Sequence, residues 1–192
     1  MQSFFFYFPL GWEHIISASA LDHQLFILAL AAIYAWQDWK QVLILVTAFT
    51  LGHSLTLALS VLEVFSLDSN WVEFLIPLTI VLTATSNLLQ RNQPARKVQF
   101  NYWLALFFGF IHGMGFANSI RFMLSEEQQL GWGLLGFNLG LEAGQLIFVA
   151  FLLLFTYLVL DKIKLDRKKW TISLSLTALV SSLFMTLSRT PF

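Results

Sequence analysis

The chain has 192 residues, of which 57% are hydrophobic and only 11% are charged, and its 11 basic and 11 acidic side chains cancel. A soluble domain carries about 25% charged residues, so this composition excludes a soluble protein and offers no basic surface to a nucleic-acid partner. The absence of cysteine excludes disulfides and thiolate ligands, so any metal must be bound by nitrogen and oxygen atoms.

Ahead of the first predicted helix, the sequence MQSFFFYFPLGWE forms a short aromatic segment. It lacks the charged n-region and the small-residue cleavage site of a signal peptide. Its Phe, Tyr and Trp side chains are typical of the membrane–water interface. We therefore expect an interfacial tail, with Glu13 as its only charged side chain.

Six apolar segments follow, separated by short polar breaks, and each approaches the ~20 residues that a membrane span requires. They cover residues 14–36, 41–62, 71–90, 100–123, 132–160 and 169–187. The breaks leave no room for a soluble domain. The sequence therefore predicts an all-α membrane protein, a bundle of six transmembrane helices that forms a single polytopic domain over residues 1–192 in the lipid bilayer.

The basic residues are distributed unevenly among the breaks. Nine of the eleven fall at the first, third and fifth breaks: Lys40, Arg91, Arg96, Lys97, Lys162, Lys164, Arg167, Lys168 and Lys169. Only Arg121 and Arg189 lie at the opposite ends. Because cytoplasmic loops retain Lys and Arg, both termini are predicted to lie outside.

Ionisable residues occur inside four of these helices at similar heights. With about 1.5 Å of rise per residue from the cytoplasmic end, His53 and His112 both lie about 18 Å up. Asp22 and His23 come out at about 20 Å, and Glu142 at about 27 Å. An intramembrane carboxylate costs about 2.5 to 3.5 kcal/mol on insertion scales and therefore indicates function. The layer predicts a polar functional site.

The fifth predicted helix separates polar residues from glycines. Asn138, Glu142 and Gln145 recur at i, i+4 and i+7 and form one polar stripe. Hydrogen bonding between helices explains a single intramembrane Asn, Gln or His, but not the glutamate. Glycines spaced by four residues occur in the fourth and fifth predicted helices, at Gly109, Gly113, Gly136, Gly140 and Gly144. This spacing lets helix backbones approach closely, within a chain or between copies in an oligomer.

Several imidazoles with carboxylates form a ligand set for first-row transition metals, whereas calcium and magnesium prefer oxygen alone. Neighbours in a helix diverge by about 100°, so either Asp22 or His23 can bind the metal while the other supports a second histidine. The predicted metal ligands are Asp22, His23, His53, His112 and Glu142.

Four further polar residues lie near this set. Ser54, Asn138 and Gln145 are predicted to support the ligands. His14 precedes Asp22 by eight residues and lies nearer the outer surface. It is either a residue on the access path of the metal or simply an interfacial histidine.

Four segments of the sequence resemble the signature segments of the HupE/UreJ family of small bacterial membrane proteins, and the resemblance extends over essentially the whole chain. The segments are HIISASALDHQLF (14–26), TAFTLGHSLTL (47–57), FGFIHGMGFA (108–117) and FNLGLEAGQ (137–145). Family members are regarded as nickel permeases, commonly encoded with hydrogenases or ureases. The resemblance implies a nickel permease in the bacterial inner membrane.

The first family signature resembles H-x5-G-x-D-H, which His14, Asp22 and His23 fit, with Ala20 where glycine is expected. The second is built on F-H-G with a later Gly and Glu, and it is met only in part. His112 and its following glycines are present, but Ile111 replaces the phenylalanine. The nearest downstream intramembrane glutamate is Glu142. We interpret the chain as a divergent member of the family.

The leading hypothesis is a secondary transporter for a divalent transition metal, with nickel favoured and zinc, copper or iron also compatible. The alternative is a membrane-embedded zinc or iron enzyme, such as a hydrolase, in which the metal activates water and Ser54 or Glu142 acts as acid or base. Short loops weigh against it, and we assign no catalytic residue. A haem carrier with His53 and His112 as axial ligands would leave the carboxylates without a role.

Overall fold

A computed structural model of the chain describes residues 1–65, 67–89, 98–124 and 130–191, without the side chains of Ser19, Val98 and residues 117–124. The described residues form helices and turns without a β-strand, as the predicted all-α class requires. The seven α-helices of the described residues are α1 (Gln2–Ile16), α2 (Leu21–Ala31), α3 (Trp39–Val61), α4 (Ser69–Leu89), α5 (Val98–Leu124), α6 (Leu130–Tyr157) and α7 (Arg167–Ser188).

The later helices follow the apolar segments of the sequence closely. Each of α3 to α7 begins two residues before the corresponding predicted span and ends within three residues of it. In the described part of the chain, α3, α4, α6 and α7 are long and apolar enough to cross a membrane, and α1 with α2 adds a fifth span if that bent pair is one unit. The chain is therefore a membrane protein with several spans. The six-span count stays a prediction.

The prediction of one continuous helix over residues 14–36 is wrong, because the structure divides this region between two helices. The first, α1, begins at Gln2, so the predicted interfacial tail is helical. It ends at Ile16, and the backbone of the next residue, Ser17, is extended (φ −66°, ψ 152°). After a short 3₁₀ turn, α2 continues at an angle of 66° to α1.

The side chain of Gln24 stabilises the break between α1 and α2. The amide nitrogen of Gln24 donates to the carbonyl oxygens of Ile15, Ser17 and Ile16 at 2.9, 3.1 and 3.3 Å. A helix end leaves its last carbonyl groups without backbone partners, and the hydrocarbon region of a bilayer supplies none. Gln24 therefore makes an interrupted helix compatible with the membrane.

Glycines set the closest helix pair, α3 with α5. Gly109 lies against the carbonyl of Phe49, and Gly113 lies against the carbonyl of His53, so a Cβ at either glycine would collide with the α3 backbone. The contacts advance in the same direction along both helices. Accordingly, α3 and α5 run parallel, with their backbones in direct contact.

The glycines of α6 make a second pair of the same kind. Gly136 lies against Phe4 and Gly140 lies against Phe8, so α1 and α6 also run parallel. The predicted close approach through these glycines is confirmed, and both glycine faces are filled by helices of the same chain. The third extensive pair is α4 with α7.

Contacts at one end of the bundle join three segments that are far apart in the sequence. Arg167 donates to the carbonyl of Ile33 at 3.0 Å, and Asn101 donates to the Tyr34 hydroxyl at 2.9 Å. The α2–α3 turn, the start of α5 and the start of α7 therefore share one end, the end predicted to be cytoplasmic. Arg91, Arg96 and Lys97 belong to the same prediction but lie outside the described residues, as does the side chain of Arg121.

Candidate metal centre

All four histidines of the chain meet inside the bundle, although they come from four helices. His14 lies in the last turn of α1, His23 in the first turn of α2, His53 in α3 and His112 in α5. His23 is central: its ring centroid lies 5.0 Å from that of His14, 5.1 Å from that of His112 and 5.8 Å from that of His53. His14, His23 and His53 each offer a ring nitrogen within 4.8 Å of the others. We call these four residues the histidine cluster.

Two features of the fold build the cluster. The break after α1 turns the chain so that His14 and His23, nine residues apart, face each other. The glycine contact between α3 and α5 brings His53 and His112 to the same level, because Gly113 lies directly against the His53 backbone. Without the broken helix or the close pair, the four rings would not converge.

Hydrogen bonds fix two of the rings. His23 Nδ1 lies 3.0 Å from Asp22 Oδ1, and His112 Nδ1 lies 2.9 Å from the carbonyl oxygen of Phe108. Both acceptors require a proton on Nδ1, so the neutral rings carry an unprotonated Nε2. Metal-binding histidines are commonly oriented by a carboxylate or a backbone carbonyl in this way.

Each of the four rings keeps a buried nitrogen that has no hydrogen-bond partner among the described residues. These atoms are Nε2 of His14, His23 and His112, and both ring nitrogens of His53. Leaving a buried polar atom unpaired typically costs about 1–3 kcal/mol, so four such rings in one place indicate a ligand-binding site. Imidazole nitrogen without thiolate suits nickel, cobalt, zinc or copper.

Aromatic side chains surround the cluster. The Phe49 ring lies 5.0 Å from the ring of His112, and the Phe116 ring lies 4.1 Å from that of His14. Phe26 and Phe49, stacked at 4.7 Å, are almost completely buried. This apolar wall limits access of water to the imidazoles and strengthens their interaction with a cation.

Comparison with known proteins shows the family of this chain. The family described as HupE / UreJ protein matches residues 1–188. The chain belongs to the HupE/UreJ family. This family is associated with the transport of metals, nickel and cobalt. Neither a search of curated proteins nor a search of solved structures gave a match.

In this HupE/UreJ chain, Asp22 lies beside the cluster and contacts both His23 and Arg189. Its Oδ1 accepts from the backbone N–H of His23 at 2.9 Å as well as from the ring of His23. Its Oδ2 lies 3.6 Å from Nη1 of Arg189, the residue that follows α7. The carboxylate thus orients His23 and supplies negative charge next to the imidazoles.

Glu142 lies apart from the imidazole group in this HupE/UreJ structure. Its Oε1 accepts from the hydroxyl of Thr47 at 2.9 Å, and the neighbouring Gln145 accepts from Thr50 at 2.7 Å. Thr47 precedes His53 by six residues, which is about 9 Å along α3. Glu142 and Gln145 therefore contact α3 below the histidine cluster, toward the N-terminal end of α3.

The other two predicted supporting residues have different surroundings. Asn138 donates to the carbonyl of Leu134 at 2.9 Å and lies beside the His53 ring. Ser54 is half-buried in α3, one residue beyond His53, and so points about 100° away from it. Sequence reasoning did not anticipate the partners Thr47, Thr50 and Arg189. The two threonines could have been found from their spacing of three and six residues before His53, whereas nothing local marks Arg189.

Proposed function

We propose that this chain is a secondary transporter that carries a divalent transition metal, with Ni(II) as the preferred ion, across the bacterial inner membrane. The ion binds in the histidine cluster. The observation that supports this most directly is the convergence of four imidazoles, each with a buried ring nitrogen that no other described group satisfies. The association of the HupE/UreJ family with nickel and cobalt transport agrees with this ligand type.

The ligand set we propose consists of His14, His23, His53 and His112, with Asp22 as the carboxylate that orients His23. Unprotonated Nε2 atoms of His23 and His112 are already selected by the partners of their Nδ1 atoms. An all-imidazole shell binds nickel, copper and zinc, and the adjacent carboxylate offsets part of the charge of the ion. His14 is thus a ligand in this proposal rather than an interfacial residue.

The broken first span supports transport over catalysis. Discontinuous membrane helices are a common way for transporters to place binding groups at mid-membrane, where the break also permits movement. Here the break separates His14 from His23, so a change in the angle between α1 and α2 would change the distance between two proposed ligands. We include six spans with both termini outside in the proposal, counting α1 and α2 as one span.

The test combines equilibrium binding with transport. Purified protein is titrated calorimetrically with Ni(II) and with Zn(II), and Ni(II) uptake is measured in proteoliposomes. We expect His53→Ala and His14→Ala each to weaken binding by more than about 100-fold, because loss of a supporting group alone costs about 10- to 100-fold. The matched control is Ser182→Ala, which removes a buried polar group from α7 away from the cluster.

The two measurements separate the alternatives. Unchanged Ni(II) affinity in both His53→Ala and His14→Ala would contradict the shared site and leave the histidines as contacts between helices. Metal that is retained tightly by the wild type without uptake into proteoliposomes would contradict transport and favour the membrane-embedded metal enzyme.

A further inference from the structure

The side chain of Arg189 reaches the metal centre from the end of α7. Arg189 follows Ser188, the last residue of α7, and its Nη1 lies 3.6 Å from Oδ2 of Asp22. The Asp22 side chain is 14% exposed and the Arg189 side chain 32% exposed, so the pair is largely shielded from solvent. The other Asp22 oxygen is occupied by His23. A guanidinium is therefore connected to the histidine cluster through a single carboxylate.

A guanidinium keeps its charge at all accessible pH values. The Arg189 guanidinium attracts the Asp22 carboxylate. It repels any cation that is bound at His23, the residue that follows Asp22. Both interactions act at short range, and the low exposure of Asp22 limits their screening by water. The contact of Asp22 with Arg189 and the binding of a divalent cation by the cluster therefore oppose each other.

We propose that Arg189 is a tethered counter-cation that competes with the transported metal for the charge of Asp22. The arriving ion displaces the guanidinium from Asp22, and the return of the guanidinium promotes release of the ion. This inference rests on the proposed transport function and adds its release step. Without such a competitor, four imidazoles and a carboxylate would bind the ion tightly, and slow dissociation would limit turnover.

The position of Arg189 suits this role. It lies directly beyond the last residue of α7, Ser188. The side chain is partly exposed, so it can leave Asp22 without breaking a buried packing contact. Its backbone N–H is held by the carbonyls of Met185 and Thr186, which fixes the attachment point while the long side chain moves.

The test compares Arg189→Gln, which removes the charge, with Arg189→Lys, which retains it. Ni(II) affinity is measured by calorimetry, Ni(II) dissociation by stopped-flow with a chelator, and uptake in proteoliposomes. We expect Arg189→Gln to bind Ni(II) about 10-fold more tightly, to release it more slowly and to transport it more slowly, in the range of typical coupling between two sites. Arg189→Lys should stay close to the wild type. Arg167→Gln, at the opposite end of α7, is the matched control and should change neither rate nor affinity.

A double-mutant cycle with Asp22→Asn locates the effect. If the competition acts through Asp22, the change caused by Arg189→Gln should largely disappear in the Asp22→Asn background. Equal or weaker Ni(II) affinity in Arg189→Gln, with an unchanged dissociation rate, would overturn this inference. The proposed function would still stand if the wild type binds Ni(II) and His53→Ala weakens that binding. An equal effect with and without Asp22 would also overturn it. Absence of Ni(II) binding by the wild type would overturn both proposals.

Discussion

His14 and His23 are nine residues apart in the sequence, and their ring centroids are only 5.0 Å apart because α1 ends and α2 begins between them. In one continuous helix, residues nine apart would be separated by about 13.5 Å along the axis. The metal centre therefore depends on this break. Gln24, whose side chain stabilises the break, supports the site although it is not one of the four histidines.

Replacing Gln24 tests this dependence. Gln24→Glu keeps the shape of the side chain but removes the amide donor that holds three carbonyl oxygens. We expect loss of about 1–3 kcal/mol of stability, because buried carbonyl groups lose their partner, together with weaker Ni(II) binding. Thermal unfolding in detergent and calorimetric titration measure the two effects. A variant with the wild-type melting temperature and affinity would show that the break does not depend on Gln24.

A methyl group at Gly113 should separate α3 from α5. The added Cβ would collide with the backbone of His53 and with the hydroxyl of Thr56. Overpacking of this kind costs about 1–3 kcal/mol, and displacement of α3 would move His53 away from its neighbours. We expect Gly113→Ala to lower both the melting temperature and the Ni(II) affinity.

The chain contains a matched control for this substitution. Apart from the adjoining residues and the backbone of α6, a Cβ at Gly131 would have no described atom within 4 Å, so Gly131→Ala should leave stability and binding unchanged or slightly improve stability through helix propensity. Equal losses in Gly113→Ala and Gly131→Ala would contradict a specific role for the α3–α5 contact.

Glu142 should affect transport more than equilibrium binding. Its hydrogen bond to Thr47 lies about 9 Å along α3 from His53, outside the group of three imidazoles that can share an ion. We expect Glu142→Gln to slow Ni(II) uptake while its Ni(II) affinity stays within a few-fold of the wild type, since the ring nitrogens are retained. Loss of affinity as severe as that of His53→Ala would instead make Glu142 a direct ligand.

Topology can be tested with single cysteines because the chain has none of its own. Ser69 at the start of α4 and Lys164 between α6 and α7 are both exposed. We expect Ser69→Cys to react with a membrane-impermeant maleimide added outside intact cells, and Lys164→Cys to react only after permeabilisation. The reverse pattern would invert the predicted orientation of both termini.

Much of the site could be predicted from residue positions within single helices. The rise per residue placed His23, His53 and His112 at one level, and the structure brings these three rings together. The same calculation put Glu142 in the layer, but its hydrogen-bonded partner Thr47 lies lower on α3. Height along an axis does not include the tilt and crossing of neighbouring helices, and those depend on packing.

The sequence by itself determined that the chain is a membrane protein and where α3 to α7 begin and end, because the length of an apolar run and its polar breaks act locally. The tertiary structure decided the interruption of the first span, the inclusion of His14 in the cluster and the contact of Arg189 with Asp22. These features depend on which segments are neighbours. Gln24 donates to carbonyls seven to nine residues earlier in the sequence, and glycines determine which helices pack against α3 and α6. Arg189, directly after α7, contacts the Asp22 carboxylate 167 residues earlier in the sequence. Helical periodicity gives the height and direction of a side chain, but the partner it meets is set by packing across the whole bundle.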